Sequence, residues 1–287
     1  MKHFATLLLV FLAATSLASA GTLAQFRSVF GDIDVQLYDQ DKPVTVQNFI
    51  RYVQSGAYTN MFLHRCIPDF IVQGGGFSTT NQLATNRFAV FESVPNFGAI
   101  SNEFNIGTRL SNVYGTIAMA KASGDPDSAS SQWFFNLRDN SANLDNQNGG
   151  FTVFGRLVRG TNVLNIFNAI SQANGIVDLR KFYGTNDSTS LFSDLPVRYL
   201  GQAPPHYNDL IYVDLSLLNV QVRPVVNGSR EISWNSVSNK LNTVEFTTNF
   251  PPHWQSLTVT NGTGGPFKFV DSSGTNAQRF YRVRVDY

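Results

Sequence analysis

The chain is short of the residues from which many enzymes build their chemistry. Of 287 residues, one is cysteine, four are histidine and 14% are charged, for a formal net charge of +1. A single cysteine, Cys66, closes no internal disulfide, so the fold is held by its core alone, which is feasible at this length. Sparse, nearly balanced charge excludes a broad electrostatic footprint for nucleic acid or an anionic membrane surface. His3, His64, His206 and His253 show no pair spacing suited to zinc, so no metal is expected. Beyond residue 20 there is no run of 18 apolar residues, and no membrane span is expected there.

What the chain does have begins with a patterned N-terminus. "MKHFATLLLVFLAATSLASA" sets Lys2 ahead of an apolar run from Phe4 to Ala14 and ends in Ala18-Ser19-Ala20. That is the layout of a secretory signal with an A-x-A cleavage site, and the apolar run is too short to span a bilayer comfortably. Residues 1–20 are expected to be removed. The mature chain would start near Gly21, free of any membrane span after cleavage, in the periplasm or the extracellular medium.

Leu23 to Phe30 and Ile33 to Leu37 are expected as two strands about a turn at Gly31-Asp32. In "DKPVTVQNFIRYVQSG" Val46, Phe49, Ile50 and Val53 recur at helical spacing, with Pro43 suited to the first turn and Gly56 to a left-handed stop. From Met61 to Leu157 the runs "MFLHRCI", "FIVQGG", "GTIAMA", "SQWFFNL" and "FTVFGRL" read as strands between polar loops. A second helix is predicted over Thr161 to Ile170, then a long irregular stretch from Ser171 to Asn208 and a strand within Leu210 to Val220. Two helices with many strands point to a mainly β fold, a closed barrel capped by helices. After "VRPVVNGSR" short strands follow at turn-punctuated intervals, the spacing of a small β-sandwich. A boundary near Arg223 therefore divides a main domain, 21–222, from a C-terminal all-β module, 223–287.

Candidate chemistry concentrates in Phe62 to Gly76, "FLHRCIPDFIVQGGG". Gly74-Gly75-Gly76 lacks the following helix and the lysine of a phosphate loop and reads as a turn or a close backbone approach. Cys66, with apolar neighbours, reads as a small strand residue. His64 has no evident Ser or Asp mate and reads as a packed, hydrogen-bonded histidine. "DNSANLDNQNGG", Asp139 to Gly150, has Leu144 where a calcium loop needs glycine and Gly150 where it needs glutamate. What remains is Arg65 among aromatics and a glutamine. In "SQWFFNL" Gln132, Phe134 and Asn136 share one strand face, and Trp133, Phe135 and Leu137 the other. A run apolar on both faces is buried on both or lines a pocket on one. If Phe134 faces the same hollow as Phe70, the result is an apolar pocket with a fixed cation at its rim.

These blocks resemble a known family. "FLHRCIPDFIVQGGGF", "GTIAMAK…DPDSASSQWFFNL", "FTVFGRLVRG" and "PVTVQNFIRYVQSGAY" are similar to the two signatures, a third block and the first helix of the cyclophilin peptidyl-prolyl isomerases, over about Thr22 to Val220. The resemblance implies an eight-stranded antiparallel barrel with a helix over each end. It also implies catalysed rotation about X-Pro bonds in proline-containing peptides or unfolded exported proteins, with no nucleophile, metal or cofactor. By the resemblance Arg65 has the electrostatic role, and Gln73 holds it and touches the substrate backbone. Phe70, Ile71, Phe134 and Leu144 form the proline pocket with Phe151 at its edge. The backbone of Ala120 and Lys121 pairs with the residue preceding proline, and His64 is a neighbour.

The chain departs from the family pattern in places. Asn143 stands where many members have Trp or Phe, which implies weak cyclosporin binding with turnover largely kept. Phe151 stands where some have His and Ile71 where many have Met. Lys121 replaces a neutral residue and adds charge beside the site. The "KASGDPDS" loop is one residue longer than in compact bacterial relatives, and 171–208 is long for the family. A competing reading is a non-catalytic proline-peptide-binding or envelope scaffold module tethered by the C-terminal sandwich. The intact Arg65, Phe70, Gln73 and Phe134 set favours an enzyme, and a monomer is expected.

Overall fold

A computed structural model describes residues 22–286 except 81, 83, 200–202, 219, 237–240, 250–251, 264–265 and 274–277. The expected signal, residues 1–20, and its cleavage point lie outside the described residues. The chain forms eight strands of a first sheet: β1 (Leu23–Ser28), β2 (Gly31–Leu37), β3 (Arg65–Ile67), β4 (Ile71–Gly74), β5 (Thr116–Met119), β6 (Trp133–Asn136), β7 (Val153–Arg159) and β8 (Asp214–Leu218), with β5 and β6 buried throughout. They form one antiparallel sheet in the order β8-β1-β2-β7-β5-β6-β4-β3. The segments leading into its two outermost strands meet. Leu63 N–H donates to the Ile211 carbonyl at 2.9 Å and Val213 N–H to that of Met61 at 3.0 Å. The sheet thus curls until its edges are bridged, as the barrel expectation requires, and edge amides that would otherwise be open are paired.

Two helices pack on this sheet, α1 (Pro43–Gln54) and α2 (Thr161–Ala169). The buried side of α1 consists of Thr45, Val46, Asn48, Phe49 and Tyr52, with Ile50 and Val53 packed partly against the core. Tyr52, absent from the expected aliphatic stripe, stacks on Phe97 at 4.5 Å and accepts the Phe97 N–H through its hydroxyl at 2.8 Å. The β1–β2 turn also differs from expectation. Ser28 pairs with Gly31, so Val29-Phe30 make the turn and Gly31, at φ +121°, begins β2. Phe30 is thereby held against Phe167 of α2, ring centroids 5.5 Å apart.

The N-terminus of α1 is closed by residues remote in sequence. The Glu103 carboxylate accepts the N–H groups of Val44 and Thr45 at 3.1 and 2.7 Å, satisfying amides that a helix start leaves open. Fully buried Lys42 donates its ammonium to the carbonyls of Glu103 at 2.8 Å and Ile106 at 2.5 Å. One buried cation thus fixes the 103–106 backbone that presents the capping carboxylate.

The stretch expected to be irregular, 171–208, has a structure of its own. Ile176–Val177 pairs with Leu195–Pro196, and short helices run over Arg180–Tyr183 and Asp187–Ser190. Its apolar side chains Leu179, Phe192 and Tyr207 join Phe62, Phe77 and Phe88 in a second core cluster. The Asp194 carbonyl accepts the Cys66 N–H at 2.8 Å, so this segment covers the outer edge of β3. Elements of two to four residues are too short to leave a periodic signal.

Toward the C-terminus lie β9 (Gln221–Pro224), β10 (Arg230–Asn235), β11 (Leu241–Thr247), β12 (Gln255–Asn261), β13 (Pro266–Asp271) and β14 (Phe280–Asp286). They form two three-stranded sheets, β9-β10-β13 and β12-β11-β14. Ile232, Trp234 and Val244 are the buried centre of a small separate core. β9 runs across the position, Arg223, at which composition changes.

Replacing Lys42 by methionine removes the donor from buried carbonyls and leaves Glu103 without its charge partner. We expect a loss of about 3 kcal/mol, read as a lowered urea midpoint at an unchanged denaturant slope.

Candidate active site

The register of β3, β4 and β6 sorts side chains onto two faces. Arg65 pairs with Gln73, and Gln73 with Phe134. Ala118 lies opposite Phe134 on β5. Residues directly opposite in a ladder point the same way, so Arg65, Gln73, Phe134 and Ala118 form one transverse row. The alternate residues, Cys66, Val72, Trp133 and Phe135, point into the main core with Phe26 and Phe154. The outer row belongs to a different cluster of Ile71, Ala118, Phe134, Leu144 and Val153, rimmed by Phe70, Ala120 and Phe151. The sheet is therefore apolar on both faces, and its outer face carries a separate, smaller apolar cluster.

At the rim Arg65 is half-buried, and its guanidinium donates to the Gln73 side-chain oxygen at 3.4 Å. Gln73 in turn donates to the Gln132 side-chain oxygen at 2.7 Å. This relay ties the arginine to β4 and to the residue just before β6, limiting the rotamers of a long side chain. Buried Phe134 has Phe151 edge-on to it at 5.9 Å and Leu144 alongside. Phe70 follows the tight β3–β4 turn, where Asp69 N–H donates to the Asn168 side chain of α2 at 2.6 Å.

Beside this cluster runs a buried amide network that motif reading did not single out. Asn140 donates to the Phe70 carbonyl and to Asn136, both at 2.8 Å. Asn136 donates to Thr116 at 2.9 Å and to Asn112 at 3.2 Å. Asn112 donates to the Asp145 carboxylate and the Phe151 carbonyl, both at 2.9 Å. The network thus fixes the backbone at Phe70 and Phe151, 81 residues apart in the sequence and packed against the same cluster. Asn136 was visible on the Phe134 face of its strand, but bonds across such separations leave no spacing signal.

The conspicuous residues of the opening motif take structural places. The Cys66 thiol is buried, lies 3.5 Å from the Phe167 carbonyl and is pushed up by burial to a pKa of about 12. It is inert as a nucleophile at neutral pH. Gly75 has φ +79°, and a Cβ there would sit 2.4 Å from the Ser131 carbonyl, so the glycines serve close backbone packing. His64 is buried edge-on to Phe77 at 5.0 Å. As expected of a packed, hydrogen-bonded ring, it bonds the Gln132 side chain, while its Nδ1 has no partner among the described residues. Burial, helped by the adjacent Arg65 charge, holds its pKa down at about 3 against the pull of Gln132, so the ring is neutral.

Ala120 and Lys121 follow β5 beside Phe151. The Ala120 N–H donates to the Gln132 carbonyl at 2.9 Å. That amide is engaged within the sheet. The Lys121 ammonium donates to the carbonyls of Asn148 and Gly150.

The family model for cyclophilin type peptidyl-prolyl cis-trans isomerases matches residues 23–181. The chain belongs to this family. A peptidyl-prolyl cis-trans isomerase of Acinetobacter baylyi is 37% identical over 148 residues, 51% of this chain and 72% of the relative. Peptidyl-prolyl cis-trans isomerase A of Dickeya dadantii is 40% identical over 160 residues, 55% and 76% of the two chains. Isomerase B of Escherichia coli is 36% identical over 147 residues, 50% and 81%. Among solved structures, a Cryptosporidium parvum cyclophilin crystallised in the presence of the dipeptide Ala-Pro covers 69% of this chain and 99% of its own at 20% identity; its TM-score of 0.44 adds nothing to the assignment. This cyclophilin is a peptidyl-prolyl cis-trans isomerase, and the row of Arg65, Gln73, Phe134 and Ala118 lies within the matched residues.

The His64 geometry has a pH signature. Between about 3 and 6.5 the unfolded chain binds a proton that the folded cyclophilin refuses, so stability falls as pH drops through that window. One such group contributes a slope of at most about 1.4 kcal/mol per pH unit. Urea midpoints of the native protein and His64→Gln between pH 4 and 7 should show a shallower fall in the variant.

Proposed function

We propose that this cyclophilin isomerises X-Pro bonds in unfolded exported polypeptides, with Arg65 as the donor that stabilises the twisted amide. Resonance gives the planar bond a rotation barrier of about 18–20 kcal/mol. As the bond twists, the nitrogen lone pair localises and becomes a hydrogen-bond acceptor that the planar amide does not present. A guanidinium already held in place interacts more strongly with that state than with the ground state, which is the condition for acceleration. The proline ring seats between Phe134, Leu144, Ile71, Phe70 and Phe151, while the preceding residue is met by the Ala120 carbonyl and the Lys121 backbone. With the ring gripped, the chain on one side turns about the bond. Gln73 positions Arg65 and faces the substrate backbone. No covalent bond is made or broken.

The observation that carries this reading is the relay of Arg65, Gln73 and Gln132 beside the apolar cluster of Ile71, Phe134 and Leu144. The A-x-A ending of residues 18–20 supports export to the periplasm or beyond, where proline-limited folding of newly delivered chains supplies substrates. Asn143 is exposed beside buried Leu144 and offers no large ring to a bulky macrocycle, so cyclosporin binds weakly. Tight inhibition in a titration with cyclosporin would contradict that part.

Replacing Arg65 by alanine should lower kcat/KM on an Ala-Pro peptide about ten- to hundredfold, the worth of one charge-assisted hydrogen bond, with the thermal midpoint little changed. Arg65→Lys should recover only part of the loss, because an ammonium lacks the planar fork. Unchanged turnover in Arg65→Ala would reject the assigned role. Absence of turnover in the folded native domain would point instead to a proline-peptide-binding module.

A further inference from the structure

The loop leading into Phe151 is conformationally expensive and is held from outside. Asn148, Gly149 and Gly150 have φ values of +49°, +74° and +79°, three successive left-handed residues of which one is not glycine. Their carbonyls converge on donors from other parts of the chain. The Lys121 ammonium donates to the carbonyls of Asn148 and Gly150, both at 2.7 Å. The Asn102 amide donates to those of Gly149 at 3.0 Å and Gly150 at 3.1 Å. Asn148 returns a bond from its side chain to the Ala122 carbonyl at 2.7 Å. Convergent carbonyls repel one another unless a donor lies between them, and Lys121 fills that place for two of the three. The same ammonium sits over the Phe151 ring at 4.8 Å from its centroid, and Phe151 is edge-on to Phe134.

We propose that the side chain of Lys121 is a positioning residue for the isomerase reaction: its ammonium clasps the 148–150 loop and steers Phe151 against Phe134, setting how tightly the proline ring is gripped. The inference rests on the proline-pocket reading above and adds a role to a residue otherwise credited only with its backbone. Gripping the ring acts alike on ground and transition states, so the clasp governs KM more than kcat.

The clasp is tunable by pH. Burial lowers the Lys121 pKa to about 8, partly offset by the carboxylates of Asp127 and Asp125. These two carboxylates, from the loop that follows Lys121, are the charged groups acting on it, and the facing 148–151 segment presents carbonyls and the Phe151 ring. A neutral amine can still donate, but it loses the charge that strengthens both bonds and the attraction to the ring. Above pH about 8 the folded chain sheds a proton that the unfolded chain retains, so on Lys121's account stability does not fall as the grip loosens.

The test is steady-state kinetics on an Ala-Pro peptide from pH 6.5 to 9.5, for the native protein, Lys121→Met, Lys121→Arg and Phe134→Ala. At pH 7 Lys121→Met should raise KM about three- to tenfold while kcat stays within about twofold. The native KM should rise through pH 8 toward the Lys121→Met value. Lys121→Arg should stay near the native value at pH 7 and remain flat across the range, because arginine keeps its charge. A native KM flat through pH 8, or one whose rise persists in Lys121→Arg, overturns the proposal; so does Lys121→Met with native KM in a folded protein. Phe134→Ala separates the failures: if it abolishes grip while Lys121→Met has none of these effects, only the clasp is rejected, whereas native kinetics in Phe134→Ala reject the pocket itself.

Discussion

One residue of register between β3, β4 and β6 decides whether this molecule has a site. Arg65 opposite Gln73, and Gln73 opposite Phe134, put a cation, a polar tether and an aromatic floor in one row on the outer face of the sheet. A slip by one would send Arg65 toward the main core and Cys66 outward, since side chains alternate with a period of two. The slip is prohibited by what the inner face buries. Trp133 and Phe135 pack edge-on to Phe26 at 4.9 and 5.1 Å, and removing either from the core costs several kcal/mol by the usual measure of buried aromatics, about 3–5. The core therefore sets the geometry of the chemistry without touching it.

The rest of the barrel domain supports that row. The buried asparagine network fixes the Phe70 and Phe151 backbones from below, and the Asp69–Asn168 bond ties the β3–β4 turn to α2. The 171–208 segment covers the free edge of β3 and brings Phe192 against Phe77, which in turn packs on His64 next to Arg65. Neutral His64 fills space there without adding a second positive charge beside the guanidinium, which would draw acceptors away from it. Polar order on the outer face and apolar order on the inner one together hold a flexible side chain to one place, the preorganisation that an electrostatic catalyst requires.

Much of this was legible in the sequence, and the parts that were not share a physical reason. Alternation in "SQWFFNL" placed Trp133 and Phe135 on one face and Phe134 on the other, and the two-faced apolar run implied either burial on both faces or a pocket on one. The α1 stripe was readable from Val46 and Phe49 but not Tyr52, whose place depends on Phe97 outside the helix. Gln132 stood on the right face and was passed over, because only the tertiary pairing with Gln73 gives it a role. The Asn112–Asn136–Asn140 network, the Glu103 cap on α1 and the 171–208 elements are all made of contacts between distant or very short segments. Local periodicity has no access to such contacts.

In the proposed mechanism Gln73 works through Arg65, by holding the guanidinium where the twisting amide needs it. A double-mutant cycle on kcat/KM with Arg65→Ala, Gln73→Ala and the double variant measures that coupling directly. Gln73→Ala should then cost about tenfold when Arg65 is present and at most about twofold when it is absent, a coupling of more than about 0.9 kcal/mol. Equal costs in both backgrounds would mean that the two side chains act independently, and the held arginine would no longer explain the catalysis.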